Sequence, residues 1–138
     1  MPVRFSATVK IKTLPKKSLK IWVERIASSN QRKIKSLAYN FVSDEELWRM
    51  NKQYLNHDTY TDIITFDYSE DNKISGEIYI SADRVKENAE KLKTTFTQEL
   101  LRVMAHGVLH LCGFKDKSPI ELKQMRAAEE RALRLFKD

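Results

Sequence analysis

The stretch HGVLHLCGFKD, residues 106–116, gathers the side chains of this sequence best suited to chemistry. His106 and His110 are four residues apart, so on a helix both rings leave the same face and two ring nitrogens can reach one ion. Gly113 allows the chain to reverse after the helix, and Asp116 can return to that ion from the loop. Two imidazoles and one carboxylate leave a coordination position open, as in a catalytic zinc site rather than a closed structural one. The expectation is one Zn²⁺ per chain on His106, His110 and Asp116, another divalent metal being possible. The same residues placed by chance on a surface or in a core are the plainer alternative; the glycine turn and the returning acid favour the metal.

The spacing H-x3-H-x2-G-x2-D equals that of metzincin proteases, with aspartate for the third histidine. The position after the first histidine, where those enzymes keep a glutamate base, is Gly107. Peptidase chemistry of the usual kind is therefore not expected. Phosphodiester hydrolysis asks for metal-activated water and a cation to balance charge on phosphate. Arg102, one turn before His106, lies in the same stripe as Glu99, His106 and His110 and is the candidate catalytic cation. It could equally pair with Glu99 or Gln98.

These residues need a helix, and LLRVMAHGVLHL provides one, with Leu100, Leu101, Met104, Val108 and Leu111 on the other side. The helix is expected over about 97–112, ending at Gly113. Ser118, Pro119 and Glu121 cap a final amphipathic helix. Upstream, strands are expected at 3–10, SLAYNFV, DIITFDY and GEIYIS, with SEDNKIS as a loop. Helices are expected over 16–29, over DEELWRMNKQYL behind a Ser43/Glu46 capping box, and over 82–93. Strands and helices intermix, so the fold class is α+β (or α/β): one domain over residues 1–138, with a mixed sheet of about four strands packed on helices.

The 138 residues are 41% hydrophobic and 32% charged, with three glycines and three prolines, a globular rather than a disordered composition. No apolar run approaches a membrane span, and MPVRFSATVK lacks a signal core, so a cytoplasmic protein with no membrane partner is expected. The single cysteine, Cys112, fits a reducing compartment and reads as a small buried side chain. The net charge is +6, and residues 10–36 hold nine lysines and arginines against Glu24 alone. Such a segment can hold an RNA backbone by displacing counterions, or be a solvated helix face. His57, in a polar loop, reads as solvated.

HGVLHLCGFKD resembles the HGxLHLxGYDH motif of the YbeY family of bacterial metal-dependent endoribonucleases. NKQYLNHDTYTDIITF resembles that family's NxxYRxxxxPTDVLSF segment, and GEIYIS its GDIxIS strand, in the same order and at similar separation. The resemblance implies a mixed sheet packed with helices, and a single-strand endoribonuclease active in rRNA maturation (16S rRNA 3′ end processing) and ribosome biogenesis. Its partners would be rRNA and the small ribosomal subunit. It also implies that His106 and His110 are metal ligands, with Asp116 where the family usually has a third histidine. Arg102 stands where many members have another histidine, and Leu55 where the family has the arginine commonly implicated in RNA cleavage. Asp62 could shape the site or only end a strand. A non-catalytic RNA- or ribosome-binding assembly factor with a structural metal, and a metal-dependent hydrolase of another substrate, are the rival readings.

Overall fold

Apolar and polar residues alternate through KIKSLAYNFV and KISGEIYIS, and these two strands form the middle of the sheet. The computed structural model describes residues 2–55 and 61–136, without the side chain of Leu55. His57 lies outside the described residues. The elements are β1 (Val3–Ala7), α1 (Lys16–Ser29), β2 (Lys33–Val42), α2 (Asp44–Leu55), β3 (Ile63–Asp67), β4 (Lys73–Ser81), α3 (Ala82–Lys91), α4 (Phe96–Leu111) and α5 (Pro119–Arg134). The sheet runs β1-β2-β4-β3; the first three strands are parallel and β3 is antiparallel to β4. This is the expected α+β class with a mixed four-stranded sheet. Among the described residues, no helix is long and apolar enough to cross a membrane.

The larger core lies between the sheet and α1, α4 and α5, where Trp22, Met104 and Met125 pack with Leu37, Tyr39 and Ile78. On the opposite face, Leu47 of α2 packs with Val42 and Ile64. Two buried polar groups lock the helices in place. The Tyr39 hydroxyl donates to the Met104 carbonyl of α4 (2.9 Å), and the Trp22 indole to the Ala132 carbonyl of α5 (2.7 Å). Burial raises the Tyr39 pKa far above the ordinary phenol value, so this donor keeps its proton.

Several boundaries differ from expectation. Strand β1 ends at Ala7 rather than at residue 10. Strand β2 begins at Lys33, ahead of SLAYNFV, and β4 begins at Lys73, inside the segment expected to be a loop. The polar composition of SEDNKIS hid a hairpin. Glu70 and Lys73 exchange backbone hydrogen bonds (3.2 and 3.0 Å), and Asp71 takes a left-handed φ of 55° between them. Ile74 is then fully buried, while Lys73 before it is exposed. Both capping boxes form: Ser43 with Glu46, and Ser118 with Glu121.

Candidate metal centre and cleft

Helix α4 begins at an N-cap, Thr95, whose side chain accepts from the Gln98 N–H, and it is mostly apolar and buried thereafter. Its one polar stripe is the exception, and that stripe carries the site. The helix closes at Cys112, and Gly113 follows at φ 104°, a conformation that side-chain-bearing residues rarely adopt. Cys112 itself is buried, and burial pushes its thiol up to about 11 against the pull of Arg32. The reversal at Gly113 brings Asp116 back over the end of the helix. Its Oδ2 lies 3.2 Å from His106 Nε2 and 3.3 Å from His110 Nε2. The three residues expected to share an ion are together, each partly exposed, with ligand atoms within 4.8 Å of one another.

The other ring nitrogens are occupied. His110 Nδ1 meets the Phe114 carbonyl at 3.0 Å, and a carbonyl can only accept, so this nitrogen carries the proton. His106 Nδ1 lies 2.6 Å from Glu129 Oε2. Burial pushes the Glu129 carboxyl up, but the His106 hydrogen bond and the Arg102 charge outweigh it and hold it below 4.5. Glu129 is thus anionic and accepts. With each Nδ1 engaged in this way, each Nε2 is left facing the Asp116 carboxylate. Three electron-rich atoms pointed at one another suit a shared cation, and the groups behind them fix ring orientation and tautomer.

Arg102 lies one turn below. Its Nε and Nη2 donate to the two carboxylate oxygens of Glu99 (2.8 and 2.6 Å), and its Nη1 donates to Glu129 (3.2 Å). Glu99 and Glu129 are each only 2% exposed, so Arg102 is the principal counter-charge for two buried acids. Arg126 adds a second charge on Glu129 at 3.0 Å. Three of the five N–H groups of Arg102 are used, and two remain. Of the two pairings open from the sequence, the structure contains the one with Glu99. Glu129 was not singled out in the sequence, although a signal exists. Met125, Ala128 and Ala132 form the buried stripe of α5, and Glu129 stands within it. An acid on an apolar stripe needs a partner on the facing helix.

Gly107 explains the missing protease base. A Cβ there would meet Ile78 Cδ1 at 2.8 Å and Ile63 Cδ1 at 3.1 Å. Any side chain at this position would require the buried Ile78 side chain to shift.

The two histidines and Asp116 open into a cleft of about 720 Å³. It is lined along β3 and just before it by residues 61–65 and Asp67, and from the helices and the loop between them by Arg102, Lys117, Leu122 and Arg126. Asp62 lines it just before β3, accepting from Asn88 (3.5 Å) through its side chain and from Ser81 N–H (3.0 Å) through its carbonyl. The basic segment 10–36 lies elsewhere. Lys10, Lys12 and Lys16 border a separate cavity beside Phe5 and Phe41, next to β1 at the far edge of the sheet from β3. Arg32 is a structural tie, donating to the Cys112 carbonyl (3.1 Å) and to Asn72 (3.2 Å).

Comparison with known proteins shows the family. The family model described as Endoribonuclease YbeY matches residues 5–137. Proteins named Endoribonuclease YbeY from Bacteroides fragilis and Flavobacterium psychrophilum are 45% and 50% identical to this chain, covering 94% and 83% of it and 93% and 82% of their own lengths. A solution structure of a Thermotoga maritima protein superposes with a TM-score of 0.58 at 29% identity, covering 94% of this chain and 88% of that one. The chain belongs to the endoribonuclease YbeY family.

Proposed function

We propose that this protein is a metal-dependent, single-strand endoribonuclease of rRNA maturation, acting in the cytoplasm on the 16S rRNA 3′ end with the small ribosomal subunit as its partner. The whole chain, residues 1–138, serves as one metallohydrolase domain in this reading. The observation that carries it is the convergence of His106 Nε2, His110 Nε2 and Asp116 Oδ2 at the floor of a cleft. Bonds of about 2.0–2.1 Å at tetrahedral angles would space ligand atoms roughly 3.4 Å apart, so the 3.2 and 3.3 Å separations from Asp116 suit one Zn²⁺. A divalent ion there supplies Lewis acidity, acidifying water and balancing phosphate charge. His106 and His110 hold it with rings fixed from behind, and the cleft admits RNA from the β3 side. Arg102 is the proposed catalytic cation, its two uncommitted N–H groups being the donors it has for a phosphate.

One observation favours a second reading, a non-catalytic assembly factor with a structural metal: Arg102 already neutralises buried carboxylates. One experiment separates the two. Purified protein should contain about one equivalent of zinc, the expectation for a single three-ligand site. It should cleave precursor rRNA, and a chelator should stop the cleavage. His110→Ala should lose both metal and cleavage. RNA binding without cleavage at full metal occupancy would instead favour the assembly factor.

A further inference from the structure

Strand β3 is an edge strand, and its free side opens into the cleft that contains the metal ligands. Two hydrogen bonds fix which of its backbone groups face that way. Ser81 N–H donates to the Asp62 carbonyl (3.0 Å), and Tyr68 N–H donates to the Ser75 carbonyl (2.8 Å). The antiparallel register is unbroken from Ile63↔Ile80 to Asp67↔Gly76. Alternation along such a ladder turns Asp62, Ile64, Phe66 and Tyr68 toward β4, and Ile63, Thr65 and Asp67 away from it. The Thr61 hydroxyl bonds the Ile63 carbonyl (3.3 Å), as an outward carbonyl permits. Among the described residues no strand pairs with this edge, which leaves the N–H groups of Ile63, Thr65 and Asp67 as a row of donors.

The same cleft is lined by Lys117, exposed and directly after Asp116 in the loop that follows α4. Arg102 and Arg126, the other cations of the cleft, are bound to Glu99 and Glu129, whereas the Lys117 ammonium has no ion pair among the described residues. The acids facing the cleft are few. Asp116 belongs to the metal set, Asp67 accepts from the Ser69 N–H (2.8 Å), and Asp62 is held by Asn88.

We infer that the cleft seats one extended single strand of RNA between the free edge of β3 and Lys117, so that its backbone crosses His106, His110 and Asp116. The inference rests on the nuclease reading above and adds the mode of substrate binding. Magnitudes favour a single strand over a duplex. A volume of about 720 Å³ is that of an ordinary small-ligand cleft, enough for a nucleotide or two and far too little for a double helix. The five residues of β3 extend roughly 16 Å, at about 3.3 Å each, so the row of donors reaches beyond the metal set along the strand. Outward N–H groups and the lysine meet phosphate and base acceptors, and the outward Thr65 carbonyl can accept from a 2′-hydroxyl or an exocyclic amine.

The test is amide hydrogen exchange on the metal-loaded full chain, with a short single-stranded phosphorothioate oligouridylate as the hydrolysis-resistant probe. Free protein should exchange quickly at Ile63, Thr65 and Asp67 and slowly at Ile64 and Phe66. The single strand should slow the first three, and a duplex RNA of equal length should not. Lys117→Ala should weaken single-strand binding about tenfold, the scale of one hydrogen bond to a charged group. It should also lower the slope of log affinity against log salt by about 0.7. Binding and cleavage with no protection of these amides would overturn the docking mode and leave the nuclease reading intact. Protection by an extended peptide but not by RNA would make the edge a protein-docking strand and overturn the proposal. Absence of both RNA binding and cleavage would remove the proposal and the nuclease reading together.

Discussion

His106 Nδ1 and Glu129 Oε2 lie 2.6 Å apart, joining a proposed metal ligand on α4 to a fully enclosed acid on α5. The acid holds the ring so that its far nitrogen points at Asp116. Glu129→Gln keeps an acceptor and removes the charge, and zinc affinity should fall by about tenfold to a hundredfold, as is typical when such a partner is lost. Competition with a calibrated chelator reads this directly. Unchanged affinity would mean that the contact is only structural.

Removing Arg102 should have two effects. Arg102→Met leaves Glu99 and Glu129 short of a counter-charge, and stability should fall by about 3 kcal/mol, the scale for breaking a buried ion pair. The proposed catalytic role adds a loss of cleavage rate on the order of a hundredfold. Combining Arg102→Met with Glu99→Gln should recover part of the stability and none of the cleavage. If cleavage returns with stability, measured by thermal melting alongside single-turnover rates, Arg102 only holds the helices together.

The basic surface around α1 is expected to contribute affinity rather than chemistry, because Lys16 lies beside β1, at the far edge of the sheet from β3 and the cleft. Reversing Lys16, Lys17 and Lys20 to glutamate should weaken RNA binding across unrelated sequences and flatten its salt dependence. The rate at saturating RNA should stay near the original. A fall in that rate with binding preserved would place these lysines in the reaction instead.

Glu46 should make stability pH-dependent. The Thr8 hydroxyl donates to its carboxylate at 2.7 Å and, with the Ser43 N–H at 3.2 Å, holds its pKa below the usual 4.5 against the opposing effect of burial. A carboxyl that is more acidic when folded stabilises the fold above its unfolded pKa. That contribution disappears as pH falls through the folded value. Thr8→Val should move the Glu46 titration, followed by NMR, upward toward 4.5, and melting temperatures of the two proteins should converge in acid.

The parts of the fold written in local pattern were legible in the sequence. The apolar stripe of α4, the serine caps at Ser43 and Ser118 and the reversal at Gly113 depend on neighbours a few residues away. For the same reason His106, His110 and Asp116 could be grouped from spacing alone. Glu129 could not, because its partner is 23 residues distant and the contact exists only once α5 has packed on α4. The start of β4 was hidden for another reason: Asp71 turns a polar run into a tight hairpin, and composition records only the polarity. The separation of the basic segment from the cleft follows from strand order, which no periodicity encodes.

The contact between Gly107 and Ile78 also bears on how this scaffold could change its chemistry. A glutamate at residue 107 would restore the protease-like sequence, yet its Cβ would start 2.8 Å from an isoleucine that is itself completely enclosed. Either the Ile78 side chain or the helix would have to shift, and a shift of the helix would move the two histidines with it. Adding the base while His106 and His110 keep their places therefore calls for a repacked or smaller residue at position 78. What separates the two sequences at this position is room between a helix and a sheet, which the packing side chain at 78 would have to yield before one at 107 could enter.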